Sequence, residues 1–184
     1  MFFIQVLKKM KDNFSTQADL YSRFRPDYCQ QLYDFLLHLI PAKNTAWDCG
    51  TGNGQVAVKL SEYFEEVYAT DISANQIKNA KKKKNIFYSI QKAEKTSFAN
   101  HQFDLITVAQ AIHWFDFEKF YAEVKRTLKP SGIIAVFGYN LCKINKETDK
   151  IIHNFYKNII GPYWDDERKY FDKIMQLFRF HLRK

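Results

Sequence analysis

Two acids bracket a run of glycines in this chain. Asp48 stands two residues before Gly50, and Gly50, Gly52 and Gly54 alternate with Thr51 and Asn53. Asp71 closes the next apolar run. Glycine enters positive φ without steric cost, so three at alternate positions let the backbone turn sharply and leave a surface bare of side chains. A ligand can lie against such backbone. A dinucleotide fingerprint needs G-x-G-x-x-G, but Gln55 holds the place of the third glycine and Gly54 comes one residue early. An acid at position 48 repels a pyrophosphate and attracts an ammonium. Asp71 is placed to accept hydrogen bonds from two ribose hydroxyls.

These residues need elements that hold them at one end of a sheet. Trp47 and its neighbours read as a short buried strand. After Gly54, Val56, Leu60, Tyr63 and Phe64 fall on one helical face. Strand, glycine turn and helix form the context in which a nucleotide-type ligand binds. A ligand with a ribose, a cationic amino-acid part and no phosphate is S-adenosylmethionine.

The pattern continues along the chain. Tyr28, Leu32, Phe35, Leu36 and Leu39 predict a helix between Pro26 and Pro41. Strands are expected at Val67 to Thr70, Ile86 to Ile90, Phe103 to Val108 and Ile133 to Phe137. Ser73 suits an N-cap, with Ile72 and Ile77 as a hydrophobic staple. Phe117, Phe120, Tyr121, Val124 and Leu128 make another helical stripe, and Lys129-Pro130-Ser131-Gly132 suits a type I turn. Ile151, Ile152, Phe155, Tyr156 and Ile159 predict a last helix, ended by Gly161-Pro162. Alternating strands and helices imply an α/β fold with a doubly wound, mostly parallel sheet.

The 184 residues, 46 % hydrophobic and 17 % aromatic, fit a single domain over 1–184 with a real core. Residues 1–13 read as a flexible N-terminal extension. No apolar run approaches the ~18 residues that would span a bilayer, so no membrane role is expected. Cys29, Cys49 and Cys142 show no metal spacing, so no metal is expected and a reduced, cytoplasmic setting fits. The formal charge is +8, with its densest run at Lys81 to Lys84. That run falls at a predicted helix end, where cations complement the helix dipole. The remaining lysines form no stripe, so a nucleic-acid partner is not the favoured reading.

Six segments occur in the order of a known family. They are Asp48-Cys49-Gly50-Thr51-Gly52-Asn53-Gly54, Ala69-Thr70-Asp71-Ile72, Ala93-Glu94, Phe103-Asp104-Leu105-Ile106-Thr107-Val108, Ala109-Gln110-Ala111-Ile112-His113-Trp114-Phe115 and Leu128-Lys129-Pro130-Ser131-Gly132. Together they resemble class I S-adenosylmethionine-dependent methyltransferases. Upstream, Tyr21-Ser22-Arg23-Phe24-Arg25-Pro26-Asp27-Tyr28 resembles the trans-aconitate methyltransferase-like subgroup, which acts on small molecules. The resemblance runs from about Phe14 to Trp164. Residues 165–184 depart from it, so the C-terminal edge strands are expected to be missing, with self-association through the open sheet edge.

The resemblance implies roles by position. Asp48, Gly50 and Gly52 would hold the methionine end and Asp71 the ribose. Ile72 would lie on the adenine, Ala93 and Glu94 at its edge. Gln110 would cover the methionine part. Trp114 would wall the substrate pocket, and His113 would accept a proton or bind a carboxylate. Tyr21 and Arg25 match the subgroup's N-terminal residues, and Arg25 would pair with a carboxylate of cofactor or substrate. The favoured reading is methyl transfer to a small-molecule acceptor at a carboxylate oxygen, which is ionised at neutral pH and needs no strong base. The rivals are an RNA-acting methyltransferase, supported by charge, and a truncated, inactive cofactor-binding module that works through a partner.

Overall fold

Trp47 sits at the centre of the sheet because a large apolar ring on a short strand must be covered on both sides. The computed structural model describes residues 27–139, 141 and 143–163. In it, Trp47 lies on β1 (Thr45–Cys49), fully buried, with Phe98 and Phe103 at ring-centroid distances of 5.4 and 5.7 Å. Its indole N–H donates to Thr70 Oγ1 at 2.8 Å, which satisfies the one polar group the ring carries.

The other strands are β2 (Glu66–Asp71), β3 (Ile86–Ile90), β4 (Phe103–Ala109) and β5 (Leu128–Phe137). Their order is β3-β2-β1-β4-β5, and every neighbouring pair is parallel. Every residue of β4 is buried, as expected for a parallel strand covered on both faces. Helix α1 (Gln30–Leu39) precedes the sheet, α2 (Gln55–Leu60) joins β1 to β2, and α3 (Ala74–Asn79) joins β2 to β3. An irregular segment leads from β3 to β4, and α4 (Phe117–Thr127) joins β4 to β5. One core layer packs Tyr33, Leu36, Val56 and Leu60 under α1 and α2; the other packs Ile106, Ile112, Phe120 and Val124 under α4.

Local signals set the helix starts. Ser73 Oγ accepts the Gln76 amide, and Asp116 Oδ1 accepts the Lys119 amide, each meeting one of the donors that a helix start leaves unpaired. One expected turn is not a turn. Lys129-Pro130-Ser131-Gly132 lies inside β5, where Phe103 pairs with Leu128 and Leu105 with Ile133. Two positions on β4 thus face a longer stretch of β5, and the extra residues bulge from the ladder. Pro130 has no N–H to give a ladder, which an edge-strand irregularity tolerates. Leu128 accordingly opens β5 rather than closing α4. The expected last helix is also divided, into α5 (Lys146–Asn154), a π-helical turn (Phe155–Ile159) and a 3₁₀ turn (Gly161–Tyr163). No helix among the described residues is long and apolar enough to cross a membrane.

Asp104 pins the amino end of β4 to its neighbours. Its carboxylate accepts the Thr45 and Asn44 amides at 2.9 and 3.1 Å and the Lys129 ammonium at 2.8 Å. Burial pushes this carboxyl up, but Lys129 and the two amides outweigh it and hold it below the ordinary carboxylate range. A depressed folded-state pKa contributes stability above the unfolded value of about 3.9 and loses it as pH falls through the folded value. Asp104→Asn is therefore expected to cost about 1.5–3 kcal/mol at pH 7. The gap to wild type should begin to narrow as the pH drops below about 4, where the unfolded carboxyl protonates, and close once the pH passes below the depressed native value. Denaturant titrations from pH 7 to pH 3 check this; a gap that stays constant with pH would refute it.

Candidate active site at the carboxyl end of the sheet

The strand order reverses between β1 and β4, so the chain leaves these two strands in opposite directions and opens a crevice beyond their carboxyl ends. Asp48 stands in register with Thr107 there. Asp48 is 1 % exposed. Its Oδ1 accepts the Thr107 hydroxyl at 2.8 Å, and its Oδ2 accepts the Thr51 hydroxyl at 2.5 Å. Asp71 is the last residue of β2. Its Oδ2 accepts the Gly52 amide at 2.8 Å and its Oδ1 the Ser73 amide at 2.9 Å. The two acids therefore hold the glycine turn from opposite sides, while the Gly50 and Thr51 amides both donate to Thr70 O.

The glycines are needed for their backbone. Gly50, Gly52 and Gly54 have φ of 69°, 56° and 85°. A Cβ on Gly50 would stand 2.6 Å from Ala111 Cβ, so the glycine turn packs directly on the segment after β4. A Cβ on Gly54 would stand 2.2 Å from Tyr88 Oη. That hydroxyl is committed to Lys81 O at 2.9 Å. Gly54→Ala adds a left-handed alanine to this clash, and a loss of about 1–3 kcal/mol is expected. Chemical denaturation measures it, and an unchanged midpoint would show that the turn can relax around a methyl group.

Charge at Asp48 is felt by its neighbours. Burial and then the Asp48 carboxylate push the Tyr88 hydroxyl up to about 12. The same two causes, in that order, push the Cys49 thiol well above its ordinary range. Cys49 is thus a buried, protonated thiol and no nucleophile.

The remaining candidates arrange as follows. Gln110 follows β4 with φ 55°, a left-handed conformation unusual for a side chain of this size. Its amide donates to Phe137 O at 3.0 Å and its Nε2 to Tyr139 O at 2.7 Å. His113 and Trp114 lie half-buried on the 3₁₀ turn Ile112–Trp114, ring centroids 4.7 Å apart. Ile72 is exposed next to Asp71, and Ala93 is buried. Glu94 Oε1 accepts the Asp116 amide at 2.9 Å, which ties the segment after β3 to the start of α4. Tyr21 and Arg25 lie outside the described residues. A small recess is lined by Tyr28, Asp48, Gly50, Thr51 and Ala109; Tyr28 stands edge-on to Phe137 at 4.8 Å.

Thr51, Thr107 and Tyr139 were not picked out as site residues. Thr107 meets Asp48 only because β1 and β4 are in register, a relation across 59 positions that no local spacing carries. The acceptors suit one ligand chemistry. Two carboxylates and bare backbone match an ammonium and a diol, and repel phosphate.

Residues 47–136 match a protein family described as Methyltransferase domain. That match covers just under half of the chain. The chain is similar to a methyltransferase-like protein of Dictyostelium discoideum, 39 % identical over 168 residues, covering 89 % of this chain and 64 % of that one. It also resembles a solved type II methyltransferase-like structure from Anaeromyxobacter dehalogenans, at 35 % identity and TM-score 0.72, covering 80 % of this chain and 63 % of that one. The ubiquinone/menaquinone biosynthesis C-methyltransferase of Rickettsia felis is 25 % identical over 176 residues, covering 85 % of this chain and 67 % of that protein. The chain spans less than two thirds of the length of the first two relatives. The chain carries a five-stranded parallel sheet with flanking helices, the Rossmann-like fold of the solved structure.

Proposed function

We propose that the chain binds S-adenosylmethionine and supports methyl transfer to a small-molecule acceptor, with a carboxylate oxygen as the receiving atom. The observation that carries this is the pair Asp48 and Asp71, set on either side of a bare glycine turn at the switch point. Asp48 pairs with the ligand's ammonium, Asp71 accepts from its ribose hydroxyls, and Gly50 and Gly52 let it approach the backbone. Ile72 lies on the adenine, with Ala93 and Glu94 at its edge. Gln110 covers the methionine part, Trp114 walls the acceptor, and His113 binds its carboxylate. By the resemblance of their segment, Tyr21 and Arg25 serve cofactor binding, Arg25 by pairing with a carboxylate of cofactor or acceptor. The sulfonium supplies the activated methyl group, so the protein's task is to orient the two partners. The methyl carbon then bonds to the acceptor oxygen as its bond to sulfur breaks, and sulfur keeps the electron pair. A carboxylate has no proton to lose, which agrees with a site offering His113 as its titrating candidate.

The upstream Arg-Pro segment supports placement in the trans-aconitate methyltransferase-like subgroup, and the cysteine usage supports a cytoplasmic setting. Calorimetry with S-adenosylmethionine, its demethylated product and NAD tests the cofactor, followed by a transfer assay over small acids. Binding of the first two but not NAD is expected; binding of NAD alone would overturn the reading. An acceptor found on carbon would overturn the carboxylate assignment only. A second reading, a cofactor-binding module that acts through a partner or a second copy, is favoured by β5, which pairs only with β4 among the described residues. Light scattering on the cofactor-bound chain separates the two. An RNA acceptor would show itself by affinity that falls steeply with salt.

A further inference from the structure

His113 and Trp114 sit on a short segment that is anchored, at both ends, on the residues assigned above to the cofactor. The segment leaves β4 through Gln110, whose left-handed backbone and hydrogen bonds to Phe137 O and Tyr139 O fix its start. The 3₁₀ turn Ile112–Trp114 follows, flanked by Ala111 and Phe115. Both flanking side chains pack on the glycine turn. A Cβ on Gly50 would stand 2.6 Å from Ala111 Cβ and 3.3 Å from the Phe115 ring. The far end is held by Glu94, whose Oε1 accepts the Asp116 amide at 2.9 Å. Asp116 opens α4, and Phe115 stacks on Phe120 of that helix with ring centroids 4.9 Å apart.

Glu94 is half-buried, and its charge reaches the end of β1. The Cys49 thiol is raised first by burial and next by Asp48, with Glu94 and Asp71 adding to both. A carboxylate accepts at two oxygens. An adenine amino group on the second oxygen therefore need not displace the Asp116 amide from the first. We propose, resting on the cofactor reading above, that Glu94 is a positioning residue for the acceptor side: through the Asp116 amide it makes adenine binding fix the turn of His113 and Trp114. Fixing Glu94 from the ligand side removes part of the entropy lost in ordering Asp116 on it. By linkage, the acceptor binds the cofactor-loaded chain more tightly than the empty one, so cofactor enters first.

The tie can be cut from the side that never meets the ligand. Asp116 has φ −76° and Phe115 has ψ 152°, backbone that suits a proline and the residue before it. Asp116→Pro thus removes the N–H that Glu94 accepts. Asp116→Ala keeps that N–H and loses the same side-chain cap, which makes it the control. The readout is fluorine NMR on the chain labelled with 5-fluorotryptophan, its three tryptophan resonances assigned through Trp114→Phe. 5′-Methylthioadenosine at saturation is the probe, because it lacks the amino-acid part that would lie on Gly50. In wild type and Asp116→Ala it should move the Trp114 resonance. In Glu94→Ala and Asp116→Pro most of that movement should be lost, although calorimetry shows the probe bound, to Asp116→Pro with affinity close to wild type. An unmoved Trp47 resonance in every variant shows that the sheet is intact. A wild-type Trp114 resonance that ignores the bound probe, or one that moves as far in Asp116→Pro as in wild type, would overturn this coupling alone. A chain that binds neither the probe nor S-adenosylhomocysteine would overturn the cofactor reading and the coupling with it.

Discussion

Asp71→Ala is expected to weaken S-adenosylmethionine binding at least tenfold. On the proposed role of Asp71, two hydrogen bonds from ribose hydroxyls to a charged acceptor are lost, each worth about 1.5–3 kcal/mol. The geometry adds a second loss. The same carboxylate accepts the Gly52 and Ser73 amides, so its removal also loosens the glycine turn and the start of α3. Asp71→Asn separates the two contributions. The amide can keep one oxygen for Ser73, but it turns a donor toward the Gly52 N–H. Calorimetry on both variants measures the effect, with circular dichroism to confirm the sheet. A dissociation constant unchanged in Asp71→Ala would show that the ribose lies elsewhere.

Asp48→Asn should have a comparable effect, a loss of about 100-fold, or about 2.7 kcal/mol at 1.4 kcal/mol per tenfold. It removes the buried negative charge that would face the ligand's ammonium. It also presents an NH₂ group where the Thr51 and Thr107 hydroxyls both donate, so one of them must turn away. The choice of ligand isolates the cause. S-adenosylhomocysteine keeps the ammonium and should lose affinity as S-adenosylmethionine does. 5′-Methylthioadenosine has no amino-acid part and should bind the variant almost as well as wild type. Equal losses for all three would mean that Asp48 shapes the turn and contacts no ammonium.

The sequence made the sheet legible because its strands are short, apolar and punctuated. β3 was read to its ends, β1, β2 and β4 to within a few residues, and β5 in its second half alone. The glycine turn and its two acids were equally plain, since unusual backbone leaves a compositional trace. What escaped depends on distant partners. Lys129 to Gly132 look like a turn by composition, and only pairing with Phe103 and Leu105 draws them into β5. The hydroxyls on Asp48, the amide of Asp116 on Glu94 and the left-handed backbone of Gln110 follow from register and packing. The Tyr21 and Arg25 expectations fall on residues outside the description, so their roles stand as proposals.

Cys49 gives the site an internal clock. Its thiol lies between Asp48 and Gly50, fully buried, and burial followed by the Asp48 charge keeps it protonated. An alkylating reagent reaches it only when the ends of β1 and the glycine turn come apart. With Cys29 and Cys142 replaced by serine, the labelling rate of Cys49 becomes a direct reading of how often the ligand end of the sheet opens. Any molecule that closes that end must slow the clock, whether or not a methyl group is ever transferred.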